Sequence, residues 1–411
     1  MRILTLLLAG LALTPTADAT GLAFPLCTVI SGAKVYTPTG PQENLDVLIR
    51  ADRVERVGPG LNEPGCARVE AKGLTLTPGF VEPWAQLGLI EVDLEGASRD
   101  DEGRGPDLRA AEGYNPRSSV VPVTRVAGVT SVVIAPSGGG LAGQAAWVDL
   151  AGATQAEAVQ RPSVAMVWAP HQDLPVALYE LRALLEEARS YSKSRAAWEQ
   201  NRTRPYTAAP RDLDALQPVL RGELPLVVPL DRAADIEAIL RFAQEERLRV
   251  VILGGAEAWM LAEALAAAKV PVILDPLAYG PSSFTSRDTR PDNAALLHAA
   301  GVDVMISSRQ LHNVRVLGQN AGNAVREGLP HDAAITALTA TPARVFGLTD
   351  LGVVAPGARA HLVLWSGDPL ELSTTVTGLW IGGEAIPLVS RQTLLRDRYL
   401  TTPAPLPSPS L

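Results

Sequence analysis

The chain has no long basic run, only two cysteines and only five histidines among 411 residues. With a net charge of −8 and a pI near 5.3 it lacks the electrostatic footprint for nucleic acid or an anionic membrane surface. A small organic ligand or another protein is the expected partner. Beyond the N-terminal segment no stretch reaches roughly 18 uninterrupted apolar residues, so no membrane span is expected in the mature chain. No Gly-rich phosphate loop opens a candidate helix and no G-x-S-x-G signal occurs. A nucleotide-binding open sheet and a nucleophile elbow therefore have no support. What is abundant is apolar mass, 47% of residues, enough for one large domain and an accessory one.

The first 19 residues have the pattern of a secretory signal peptide: Arg2, an apolar core from Ile3 to Leu13, and the small-x-small triplet Ala17-Asp18-Ala19. A periplasmic or secreted protein is expected. Pro25-Leu26 before Cys27 lacks the small residue of a lipoprotein site. Cys27 and Cys66 form either one disulfide or two buried free thiols, and spacing alone leaves both open.

Residues 20–78 carry short β-branched runs broken by Gly, Pro, Asn and Asp, which predict small antiparallel strands. Residues 350–395 have the same texture, so the two chain ends are expected to share one β-sandwich, followed by a flexible tail over 396–411. Residues 79–349 alternate apolar strands with amphipathic helices. That is the length and rhythm of an α/β fold of the (β/α)₈ TIM-like barrel type, with a doubly wound sheet as the alternative. Strands are expected at 79–81, 131–135, 163–168, 226–229, 249–253, 270–274 and 304–307. The helix over 231–246 puts Ile236, Ile239, Leu240 and Ala243 on its core face. The helix over 256–268 does the same with Met260, Leu261, Ala264 and Leu265. The acidic loop 91–115 reads as too polar for burial and overhangs the mouth, while 181–204 reads as a long helix with a solvated face.

Several stretches resemble the amidohydrolase superfamily, in its imidazolonepropionase-like, exported branch: TLTPGFVEPWAQLGL at 75–89, IAPSGGGLAGQAAWVDL at 134–150, VILGGAEAW at 251–259, HNVRVLGQNAGNAVREGLP at 312–330, ALTATPARVFGL at 337–348 and PGARAHLVLWSGDPL at 356–370. The likeness extends from about residue 32 to the end. It implies the barrel with a composite β-domain, and divalent metal, usually zinc, activating water to attack an amide-type carbonyl. The first-strand pattern of that family is D-x-H-x-H; here Glu82, Trp84 and Gln86 stand in those places. The fifth strand offers Pro229, the sixth Gly254 or Gly255, the eighth Arg309 or Gln310, and the fourth-strand run VAMVW has no lysine. Tryptophan, proline and glycine cannot ligate zinc.

The expectation is an amidohydrolase-like protein of the cell envelope that has lost metal-dependent hydrolysis and serves as a binding or partner subunit, with no metal and no catalytic residue. Its partner is a small organic ligand or a homologous subunit. Glu82, Trp84, Gln86, His171, Asp231, Arg309, Gln310 and His312 are the expected ligand-site residues, with Trp84 either a packing plug or a stacking surface. The alternative is a working hydrolase of carbon–nitrogen bonds with a relocated site, holding zinc through His171 and His312 with Asp231, Glu82 or Glu91. A site of Ser307 or Ser308 with His312 and Asp231 is a further option. His298, His331 and His361 read as structural or surface residues.

Overall fold

The computed structural model describes residues 27–170, 173–202, 205–310 and 312–400. The expected signal peptide, His171 and residues 401–411 lie outside them.

Two eight-stranded sheets organise the chain. The first is built from both ends: β1 (Cys27–Thr37), β2 (Gly40–Arg50), β3 (Arg53–Gly58), β4 (Ala67–Glu70) and β5 (Thr75–Pro78). One edge of β1 pairs with β2, and its other edge is shared by β4 and β5. Gly32, at φ +73° between those two halves, gives the left-handed turn that a side chain would resist. Cys27 and Cys66 are bonded, with Cα atoms 4.8 Å apart, and tie the start of β1 to the lead into β4. The bond closes a loop of 39 residues. Replacing both cysteines by serine is expected to lower stability by about 2–4 kcal/mol, read as a fall in the urea midpoint equal to that of the reduced wild type.

The second sheet is the barrel, in sequence order: β6 (Phe80–Ala85), β7 (Val129–Ile134), β8 (Gly140–Asp149), β9 (Val159–Ala169), β10 (Leu226–Leu230), β11 (Val250–Gly254), β12 (Val272–Leu274) and β13 (Val304–Ile306). Residues alternate along these strands between two cores. Val250 and Ile252 join the outer one with helix residues such as Ile236 and Phe242, whereas Val251 and Leu253 join the barrel interior with Val133, Trp147 and Met305. That period of two is the reason apolar runs with no polar face form these strands.

Strict alternation fails in one place. β8 runs antiparallel to both β7 and β9, so one hairpin-linked strand replaces a strand–helix unit. Its amino end lies at the barrel mouth, Gly140 opposite Ala169, and its carboxyl end at the base. The composite domain is completed by β14 (Leu362–Trp365), β15 (Val376–Ile381) and β16 (Glu384–Ala385), with β14 paired to β5.

Two other expectations are corrected. Met260 and Ala264 face solvent, because a 3-10 turn at Ala258–Leu261 interrupts the helix and breaks the stripe. Residues 396–400 belong to the helix Arg391–Leu400 rather than to a tail. The long helix, Leu174–Glu199, buries Leu181, Leu185 and Tyr191. Arg182 and Arg189 reach across to Glu245 and Glu246 of the helix Ala233–Glu246. His361 is buried at the base, its Nε2 2.9 Å from Asp149 Oδ2. Burial raises the Asp149 carboxyl, but His361, Ser131 and Arg359 outweigh it and hold the group below its ordinary value.

Candidate functional site at the barrel mouth

The carboxyl ends of the parallel strands converge on the mouth, where sites of this architecture are built. The first strand brings Glu82, fully buried, and the eighth brings Ser307 and Ser308, equally buried. Glu82 Oε1 accepts from Ser307 Oγ at 2.5 Å and from the Trp84 backbone N–H at 3.2 Å. Its Oε2 accepts from Ser308 Oγ at 2.7 Å and from the Ser308 backbone N–H at 2.9 Å. Each oxygen thus has two donors. β6 and β13 are the two ends of the hydrogen-bonded strand path, and this cluster joins them. Burial pushes the Glu82 carboxyl up to about 7, and the four hydrogen bonds only partly offset it.

Trp84 is 8% exposed and packs in the barrel-interior cluster. Gln86 is half-buried, and its carbonyl accepts the turn N–H groups of Leu89 and Ile90. The acidic loop then crosses the mouth. Asp101 is buried, against the expectation from its polarity, because Ser137 Oγ donates to its carboxylate at 2.5 Å and Arg99 pairs with it at 3.2 Å. Ser137 N–H donates to Asp101 O and Gly103 N–H to Ser137 O, so the turn at 137–140 is committed to this loop.

The opposite half of the mouth holds a cavity of about 240 Å³ between the ends of β10 and β13. Asp231, Asp275, Asn293 and Arg309 line it. A side chain at Gly254, φ +99°, would overlap Asp231 Oδ1 and lie 3.2 Å from Arg309 Nη1. The space where the sixth strand would project a histidine is therefore filled by a carboxylate and a guanidinium. Asp275 Oδ1 accepts from the Leu277 N–H at 2.9 Å and from Asn320 Nδ2 at 3.2 Å. Burial raises its carboxyl, opposed by the Leu277 N–H and the Arg309 charge.

The expected site residues thus fall into two groups. Glu82 and Trp84 belong to the strand-one cluster, and Asp231 and Arg309 to the cavity. Gln310 and His312 are exposed on the segment after β13. It is Ser307 and Ser308, not Arg309 or Gln310, that meet the first strand. Their hydroxyls donate to Glu82, and no hydrogen bond joins either of them to His312 among the described residues. Asp275, Asn293 and Asn320 were not singled out from sequence, although Asp275 directly follows the apolar run of the seventh strand and precedes a proline, a visible strand-end signal. His331 pairs with Asp368 at 2.8 Å, and His298 is exposed at the end of the helix Asn293–Ala299.

These residues do not fit a catalytic metal. The strand-one carboxylate has its acceptor directions occupied, its neighbours are tryptophan and serines, and the sixth-strand position is a glycine whose space is taken. Among the described residues no three of His, Cys, Asp or Glu converge as a ligand set.

Comparison with known proteins gives consistent likenesses. A model of the amidohydrolase family matches residues 237–389. An amidohydrolase from Thermotoga maritima superposes with a TM-score of 0.80 at 25% identity, covering 88% of this chain and 99% of that one. Amidohydrolase tasK of Hapsidospora irregularis is 22% identical over 390 residues, 83% of this chain and 39% of that protein. An imidazolonepropionase of Cereibacter sphaeroides is 34% identical over 116 residues, 27% of this chain and 28% of that protein. The matches thus span well under half the length of these two curated relatives. The family match begins after β6 and β10, so Glu82, Trp84 and Asp231 lie outside it while Arg309 lies inside.

Proposed function

The chain belongs to the amidohydrolase superfamily, and from that premise we propose that it is a cell-envelope protein that has lost the metal-dependent hydrolysis and acts as a binding or partner subunit. The observation that carries this reading is the Glu82 cluster. Where the superfamily's chemistry needs imidazoles around an accessible cation, this mouth has a carboxylate saturated by Ser307, Ser308 and the Trp84 backbone. What remains open is the cavity of Asp231, Asp275 and Arg309, a place for a small polar ligand. Export is supported by the charge and apolar pattern of residues 1–19 and by the Cys27–Cys66 bond, which suits an oxidising compartment.

The test is metal analysis of the purified full chain together with amidase assays. We expect substoichiometric zinc, no loss of stability on chelation and no amide hydrolysis above buffer. About one equivalent of tightly held zinc, removed by chelator together with amidase activity, would overturn the proposal. The competing reading, a carbon–nitrogen hydrolase with a relocated site, is favoured by one feature, the two carboxylates that share the open cavity at the strand ends.

A further inference from the structure

Three groups in the β10–β13 cavity have unused hydrogen-bonding capacity among the described residues, and a fourth, Arg309, offers an exposed cation at its rim. Among the described residues the Arg309 guanidinium forms no ion pair, although it stands with Asp231 Oδ1 over Gly254. Among the described residues Asp231 accepts a single long hydrogen bond, from the Ala256 N–H at 3.3 Å. Asp275 uses Oδ1 for its two donors, and Oδ2 has none among the described residues. Asn293 is 7% exposed; its Nδ2 donates to Gly255 O at 2.9 Å, and its Oδ1 finds no partner among the described residues. A buried amide oxygen without a donor carries a desolvation penalty that a ligand N–H would remove.

Opposite charges this close in a protein surface would ordinarily pair with each other. Here they do not: Asp231 follows β10, Arg309 follows β13, and the exposed Arg309, at φ +48° with its N–H tied to Ser307 Oγ at 3.0 Å, forms no ion pair with Asp231. The other arginine of the cavity, Arg290, is already engaged by Asp292 at 2.6 Å and by the face of Trp259. The vacant functions are therefore one cation, two carboxylates and one neutral acceptor around a small polar space. A molecule with a cationic N–H₃ group and a carboxylate a few bonds apart satisfies all of them at once. A simple anion would meet Asp231 and Asp275 repulsively, and a simple amine would leave Arg309 unmatched.

Resting on the binding reading above, we infer that this cavity is the recognition site for a small zwitterion of the free α-amino acid type. Its carboxylate takes the Arg309 guanidinium, and its ammonium lies between Asp231 and Asp275 with one N–H directed to Asn293 Oδ1. The strand-one cluster takes no part.

The test is thermal unfolding of the full chain with each of the twenty proteinogenic L-amino acids at about 10 mM, followed by calorimetric titration of those that act. At least one amino acid raises the wild-type Tm saturably. Arg309→Gln and Asp231→Asn each weaken that amino acid at least about tenfold, while Arg287→Gln, an equal change of charge outside the cavity, leaves affinity unchanged. Propionate and propylamine, each carrying one of the two charges, bind at least about tenfold more weakly. The inference is overturned if none of the amino acids shifts Tm, or if the affinity survives in both cavity variants. Zinc with amidase activity would instead overturn the proposed function, so the two failures are distinct.

Discussion

Glu82→Ala lowers the stability of the fold by about 4 kcal/mol, seen as a fall in the urea midpoint and in Tm. The truncation strands two hydroxyls and two backbone N–H groups that the carboxylate now satisfies, in a place closed to water. It also unties β13 from β6, the only two barrel strands that do not share their closing edge in the hydrogen-bonded path among the described residues. A loss under about 1 kcal/mol would mean that the serines find other partners and that the cluster does not close the barrel. Acid–base behaviour gives a second reading of the same residue. The carboxyl sits near 7 in the fold and at its ordinary 4.5 when unfolded, so between those values the native state retains a proton that the unfolded state has released. This stabilising contribution is complete below about pH 4.5 and is lost as pH rises through about 7, amounting to roughly 3 kcal/mol. Glu82→Gln should flatten that part of the stability–pH curve while wild type shows the fall. The serine hydroxyls can turn from donating to accepting, so the protonated carboxyl is accommodated without rearrangement.

Trp84→Ala is expected to cost about 3–5 kcal/mol, because the indole is nearly buried in the barrel interior and its truncation leaves a cavity there. Trp84→Phe should lose about half as much. The decisive comparison is with amino acid binding. Trp84 is not among the residues that line the β10–β13 cavity. Trp84→Phe should therefore lower the urea midpoint and leave ligand affinity within about twofold of wild type. An affinity loss above about tenfold in that variant, with the midpoint unchanged, would make the indole a ligand-stacking surface instead of a plug.

Together these expectations describe a mouth divided in two. On the side of β6 a tryptophan, a carboxylate and two serines pack together and link the first barrel strand to the last. On the side of β10–β13 charged groups remain open to a ligand.

Residue identity alone carried a good part of this. The apolar runs ending in Pro, Gly or a polar pair located most barrel strands, and what stands at their ends, Trp84, Pro229 and Gly254, already lacked ligands for a metal. Both conclusions are local: strand periodicity and side-chain chemistry are properties of short stretches. The reversed strand β8 is not among the expected strands, because glycine and alanine carry little strand propensity, and only pairing with both neighbours makes that stretch a strand. Likewise, the Cys27–Cys66 bond required the approach of two strands, and the contact of His361 with Asp149 required the meeting of two domains. The partners of Glu82 lie 225 and 226 positions away, and the cavity charges come from segments that only barrel closure brings together. No local pattern encodes which strand ends meet; that is fixed by the closing of the sheet and by the burial that the closing makes possible.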